Sequence, residues 1–299
     1  MSLRKINIIG CGYIGKKIAH GIPGKAGELR CFINTESSKE KLESSGVLAY
    51  QFDLDKQGLA LSQEQVQCFS DSRIAYLVAP PRKGLVDTRM SHFINVLESL
   101  ELPPESLLLI STTGVYGDCK GEWIDESHEL NPQAERAIRR VSAEEQLRAY
   151  AEKYTVPFTV FRVPGIYAAD KLPVKRISSG EPVVRAEDSG FTNRIHADDL
   201  AAFCIEALVS DVASGFYNCC DGHPSTMNDY FMKVADALGI ERPAEISLQK
   251  AKAELSSGML SYLAESKRIS NKKLLDRFKT QLKYPDLQAG LKSVGKKNK

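Results

Sequence analysis

A chain of 299 residues, 42% hydrophobic and 26% charged, has the size of one large domain or two ordinary ones and the composition of a globular protein. Its net charge of +2 offers no footprint for a polyanion, so nucleic acid is excluded as an expected partner. The seven cysteines are odd in number and form no C-x-x-C pair, which suits reduced thiols and a cytoplasmic address, and no apolar run approaches the roughly 18–20 residues that span a bilayer.

The opening residues enter a strand pattern at once, with no leader-like apolar stretch before it. From there, apolar periodicity and turn residues predict strands at 5–9, 29–33, 48–52, 74–79, 107–110 and 158–163. Helices are expected between them, at 14–20, 38–45, 88–100 and 133–153. Gly21-Ile22-Pro23-Gly24 stops the first of these, and Pro103-Pro104 follows the third. Such alternation calls for an α/β fold, a Rossmann doubly wound parallel sheet over residues 1–163 with helices on both faces. Residues 164–299 read as a smaller C-terminal α/β lid interleaved with that region. Its expected elements are loops over 164–194, a helix at 197–209, a strand at 215–219 and a helix at 226–238.

The segment Gly10-Cys11-Gly12-Tyr13-Ile14-Gly15 is a G-x-G-x-x-G turn that follows the first strand and opens the first helix. Gly10 permits the tight turn, Gly12 lets the backbone approach a pyrophosphate, and Gly15 lets helix and strand pack closely. The amides of Tyr13 and Ile14 then open a helix whose positive end faces the phosphates. At the end of the second strand an NAD site usually carries an acid for the ribose. Here Asn34 occupies that position, followed by Thr35, Glu36, Ser37, Ser38 and Lys39. Hydroxyls and a lysine suit a 2′-phosphate, so NADP is preferred to NAD; the alternative role of Ser37 or Ser38 is a helix N-cap.

Further motifs resemble the extended short-chain dehydrogenase/reductase family, in particular its NAD-dependent epimerase/dehydratase group acting on nucleotide sugars. The resemblance covers nearly the whole chain, although the glycine turn departs from that group's usual G-x-x-G-x-x-G. Asp53-Leu54 is similar to the pair whose carboxylate meets the adenine amino group. Ala79, Pro80 and Pro81 stand where the fourth strand passes the cofactor. Ile110-Ser111-Thr112-Thr113-Gly114-Val115-Tyr116-Gly117 resembles S-S-x-x-V-Y-G, and Arg162-Val163-Pro164-Gly165-Ile166-Tyr167 resembles R-x-x-x-[IV]-Y, which puts Pro164 on the nicotinamide side. Asn193-Arg194-Ile195-His196-Ala197-Asp198-Asp199 is similar to the I-H-V-x-D segment that begins a lid helix.

The family's Tyr-x-x-x-Lys pair is missing. Alignment places Arg136 at the tyrosine and Arg140 at the lysine, which resembles the atypical, uncharacterised bacterial branch of the family. Arginine stays protonated, so Arg136 cannot be a general base, whereas Arg140 can hold ribose hydroxyls; its alternative is an exposed helix face paired with Glu144. The resemblance implies an NADP-dependent oxidoreductase or epimerase acting on a sugar nucleotide or similar polar carbonyl. Thr112 would hydrogen-bond the carbonyl, Tyr116 would donate the proton, Ser111 would lie against the cofactor, and Arg136, Tyr167 and Arg194 would face the substrate. The alternative is a non-catalytic dinucleotide-binding sensor or partner-binding module. Family enzymes also imply a homodimer through the helices flanking the fifth strand, a surface that Arg136, Arg139 and Arg140 would charge. The five histidines show no ligand spacing, so no metal is expected, and His196 with Asp198 and Asp199 reads as a helix cap.

Overall fold

Short apolar runs bounded by turn residues form the strands of one central sheet. These are β1 (Lys5–Ile9), β2 (Glu28–Ile33), β3 (Ala49–Gln51), β4 (Arg73–Tyr76), β5 (Ser106–Thr112), β6 (Phe158–Val163) and β7 (Gly215–Asn218). The computed structural model describes residues 4–22, 24, 27–56, 61–254, 260, 263–292 and 294. In it the strands pair in the order β7-β6-β5-β4-β1-β2-β3, every pair parallel. The chain runs outward from β1 in one direction as far as β3 and then returns to β4 on the other side of β1. That reversal opens a crevice at the carboxyl ends of β1 and β4, the usual ligand position in an open α/β sheet.

Helices cover both faces. They are α1 (Tyr13–Gly21), α2 (Glu36–Glu43), α3 (Gln63–Gln67), α4 (Thr88–Glu98), α5 (Glu135–Tyr154), α6 (Val174–Ser178), α7 (Ala197–Val209) and α8 (Met227–Leu238). The two-residue period of a strand sends alternate side chains to opposite layers. Ile6 and Ile8 pack with Ile18, Leu200 and Phe203 under α1 and α7. Ile9 packs with Phe32, Phe69, Phe93 and Leu147 under α4 and α5. Asn7 is fully buried, and the cost is partly offset because its Nδ2 donates to Cys68 O at 2.9 Å and Ser72 Oγ at 2.8 Å.

Three sequence expectations shift in the structure. The strand expected at 74–79 ends at Tyr76, ahead of Pro80 and Pro81, which lack the N–H a ladder needs. Helix α2 begins at Glu36 with Thr35 as its N-cap, so neither Ser37 nor Ser38 is the cap. Helix α3 was not expected, yet its capping box is written in Ser62 and Gln65.

Beyond β6 a third apolar cluster, including Tyr167, Ile177, Phe231 and Leu291, joins α6 and α8 to the helix Leu287–Lys292. The expected loop over 164–194 in fact holds α6 and several strands of two or three residues, too short to show a period. Gly165–Tyr167 pairs with Arg194–His196, and Phe191–Thr192 pairs with Ser225–Thr226. Among the described residues no helix is long and apolar enough to cross a membrane.

Candidate active site

The glycine turn leaves β1 and enters α1. Gly10 has φ +85°, and a Cβ there would lie 2.9 Å from both the backbone nitrogen and Cγ2 of Val78, so only glycine fits. Gly15 presses α1 onto β1, since its Cβ would meet Ile8, Cys11 and the Gly10 carbonyl, each at 3.3 Å. Gly12 differs from both: a Cβ there finds nothing nearer than the Gly10 carbonyl at 3.9 Å. Its outer side is open, and no side chain caps the start of α1. This is the shape a pyrophosphate needs at a helix N-terminus. Ile14 packs into the core beneath the turn, while the Tyr13 phenol donates to Asp170 Oδ1 at 2.6 Å. Burial and that carboxylate push the Tyr13 hydroxyl well above its ordinary range.

The other expected cofactor residues follow the carboxyl edge of the sheet. Asn34, Thr35 and Ser37 are exposed just past β2; Glu36 is turned onto Lys39 at 2.9 Å and Thr35 bonds Ser38 at 2.8 Å. Past β3, Asp53 accepts the Asp55 N–H at 3.0 Å and Leu54 is buried. Arg89 ties this edge to the next, pairing with Asp55 at 2.5 Å and donating to the Ala79 carbonyl at 2.8 Å.

A cleft of about 660 Å³ continues beyond the ends of β4, β5 and β6. It brings together Ala79, Pro80, Pro81, Thr112, Arg136, Arg140, Pro164, Tyr167 and Arg194, which are spread over more than a hundred positions of the sequence. Thr112 Oγ1 accepts the Gly114 N–H at 3.2 Å, which leaves its own O–H to donate into the cleft. Arg140 donates to the Val78 carbonyl at 2.9 Å, and burial lowers its pKa. Arg194 is 6% exposed, donates to Ser225 Oγ at 2.9 Å and lies 4.1 Å from the Tyr230 ring centre. Tyr167 is buried with its hydroxyl on the Asp286 carbonyl at 3.1 Å.

Two expectations are corrected. Tyr116 does not reach the cleft. It is 1% exposed; its hydroxyl donates to Asn218 Oδ1 at 2.8 Å and accepts from Arg162 at 3.0 Å. Burial pushes its pKa up to about 12, so neither access nor acidity suits a proton donor. Ser111 is likewise internal, donating to Glu144 at 2.5 Å, and Glu144 closes a buried ion pair with Arg162 at 2.8 Å. This also settles the exposed-face alternative for Arg140, because Glu144 points inward to other partners. The arginines of α5, Arg136, Arg139 and Arg140, all line the cleft.

Sequence reasoning missed other lining residues, among them Arg82, Phe191, Tyr230, Glu265 and Lys267. Lys267 and Glu265 pair at 2.5 Å, and no motif separates them from an ordinary surface pair. Behind Arg194, the Asp221 N–H donates to its carbonyl at 2.9 Å. Asp221 Oδ1 accepts from His223 N at 2.9 Å, while Oδ2 is buried with no hydrogen-bond partner.

Burial raises the Asp221 pKa to about 7. A carboxyl near about 3.9 in the unfolded chain therefore holds its proton more tightly when folded, so stability is lost as pH rises from about 4 through about 7. Asp221→Asn keeps an acceptor for His223 and removes the charge. Its stability relative to the parent is expected to improve by about 2–4 kcal/mol between pH 4 and pH 8 in urea titrations. A pH-independent difference would mean the carboxylate is not the source.

The comparisons agree with this geometry. The model of the "NAD dependent epimerase/dehydratase family" matches residues 6–220. Protein YeeZ of Escherichia coli (strain K12) is 22% identical, with 86% of this chain and 92% of that protein covered. A functionally unknown conserved protein from Silicibacter pomeroyi DSS has a TM-score of 0.79 at 24% identity, covering 98% of each chain. The UDP-glucose 4-epimerase of Thermus thermophilus, solved as a complex with NAD, has a TM-score of 0.74 at 20% identity, covering 97% of each chain. With a glycine turn that admits a diphosphate, a sheet edge that continues into a cleft and a family match running from β1 past β7, the chain belongs to the NAD dependent epimerase/dehydratase family.

Proposed function

We propose that the chain binds a nicotinamide dinucleotide, preferring NADP, from Gly10–Gly15 along the ends of β2, β3 and β4, and acts on a nucleotide sugar or similar polar carbonyl in the cleft. The observation that carries this reading is the continuity of one edge. The open face of Gly12, the exposed residues past β2 and the cleft holding Thr112 and Arg140 follow one another along the carboxyl ends of the strands. Asn34 at the ribose position, with Thr35, Ser37 and Lys39 beside it, supports a 2′-phosphate. The seven cysteines, none in a disulfide and most of them buried, support a cytoplasmic address.

The dinucleotide supplies or accepts a hydride at its nicotinamide ring. The chain does the rest. Thr112 donates its O–H to a substrate oxygen, Arg140 holds sugar hydroxyls beside Val78, and Pro80, Pro81 and Pro164 wall the space without adding donors that would compete. Arg136 cannot remove a proton, yet as a cation lining the cleft it stabilises oxygen that becomes negative. A proton then exchanges with solvent water in place of a phenol.

Calorimetry with NAD, NADH, NADP and NADPH, followed by turnover assays on sugar nucleotides, tests this reading. The phosphorylated pair should bind more tightly. Thr112→Ala should leave cofactor affinity within about twofold and lower turnover roughly 10–100-fold, the size of one transition-state hydrogen bond. Unchanged turnover removes Thr112 from the site.

A further inference from the structure

Among the described residues, three of the four buried arginines pair with acids in ways that offset their desolvation. Arg162 has Glu144 at 2.8 Å, Arg73 has Glu105 at 3.0 Å and Asp211 at 2.5 Å, and Arg139 has Glu135 at 3.4 Å. The fourth, Arg194, does not, and neither does the half-buried Arg140. Among the described residues each bonds only neutral oxygens, Val78 O and Ser225 Oγ, and has no carboxylate within ion-pair distance. Asp87 and Asp221 act on them only through space, and burial raises the pKa of both acids. Both arginines line the same cleft, together with Arg82, Arg136 and Lys267 against a single acid, Glu265. A cation withdrawn from water without a partner is costly, so one buried and one half-buried arginine facing one cavity mark places where a ligand brings the counter-charge.

The two arginines come from different elements. Arg194 stands with Tyr230 among the short strands beyond β6, whereas Arg140 stands on α5 beside β4. Because Arg140 is anchored by the Val78 carbonyl and Arg194 by Ser225, each arginine is assigned its own anionic group. Resting on the cofactor and nucleotide-sugar reading above, we propose that the preferred substrate is acidic at its reacting end: a carboxylate or phosphate held by Arg136 and Arg140 beside the nicotinamide, in addition to the phosphate held by Arg194. The arginines that replace the family's tyrosine and lysine then become specificity-determining residues.

Two pairs of probes, each differing by one carboxylate, test this on the full chain saturated with NADPH. UDP-glucuronate is compared with UDP-glucose, and glucuronate 1-phosphate with glucose 1-phosphate, by calorimetry. The acidic member of each pair should bind roughly tenfold tighter or more, the size of a charge-assisted hydrogen bond. Arg136→Gln or Arg140→Gln should bring that ratio close to one, whatever change in Kd the two members of a pair share. Arg140→Lys, which keeps the charge, should retain part of the preference and guards against a folding defect in Arg140→Gln. Arg194→Gln should weaken both members of each pair alike, because their shared phosphate is affected. Equal binding of acidic and neutral members, or a preference that survives both glutamine variants, overturns the inference and leaves the nucleotide-sugar reading standing. If only the sugar phosphates bind, with the carboxylate preference intact, the nucleotide part fails and the acidic-substrate inference stands. If no probe binds, both fail.

Discussion

Glu144→Ala is expected to cost about 3–5 kcal/mol of folding stability, a large part of the total for an ordinary domain. Glu144 is 2% exposed on α5 and accepts from Arg162 at 2.8 Å and Ser111 at 2.5 Å. Arg162 in turn is 4% exposed on β6, bonded to Tyr116 and 4.7 Å from the Phe216 ring centre. Removing the carboxylate leaves a guanidinium that cannot lose its proton buried among aromatic rings. The cost lies in that abandoned charge and exceeds the net worth of the intact pair. Glu144→Gln, which keeps the shape and one acceptor, should fall between the parent and alanine. Chemical denaturation at neutral pH measures all three, and a loss below about 1 kcal/mol for alanine would show that water reaches Arg162. The same network explains why Tyr116 is structural: its phenol completes the bonding of a buried cation and has no route to the cleft.

The second large effect separates two glycines of the same turn. Gly10→Ala should both destabilise the protein by about 1–3 kcal/mol and abolish detectable dinucleotide binding. Its Cβ would combine a positive φ with a 2.9 Å approach to the backbone of Val78, and backbone cannot swing aside as a side chain can. Gly12→Ala meets nothing within 3.9 Å, so the folded protein should keep its stability within about 0.5 kcal/mol. Dinucleotide affinity should nevertheless fall roughly 100-fold, because the new methyl stands where the pyrophosphate must come close to the amides. Thermal shifts with and without cofactor read both quantities on one sample. A Gly12→Ala protein that binds the cofactor like the parent would move the phosphate site away from this turn.

The sequence alone was enough for the order of strands and helices, because each central strand is buried on both faces and its apolar run is interrupted by turn residues. It was also enough for the glycine turn, whose demands are local: one positive φ, one open face and one close packing contact within six residues. Helix ends were legible to within a few residues, and the segment 164–194 was not, because strands of two or three residues carry no period. What only the tertiary structure decided was the direction and company of side chains. The motif around Thr112 and Tyr116 places both at the end of β5, but one faces the cleft and the other lies under it against Asn218. Arg140 and Arg162 are the same residue type near the same sheet edge, and only the fold gives one a buried carboxylate and leaves the other facing a cavity. Charge balance inside a protein is set by partners brought from distant positions, so a sequence can list the arginines without showing which of them still lack a counter-ion.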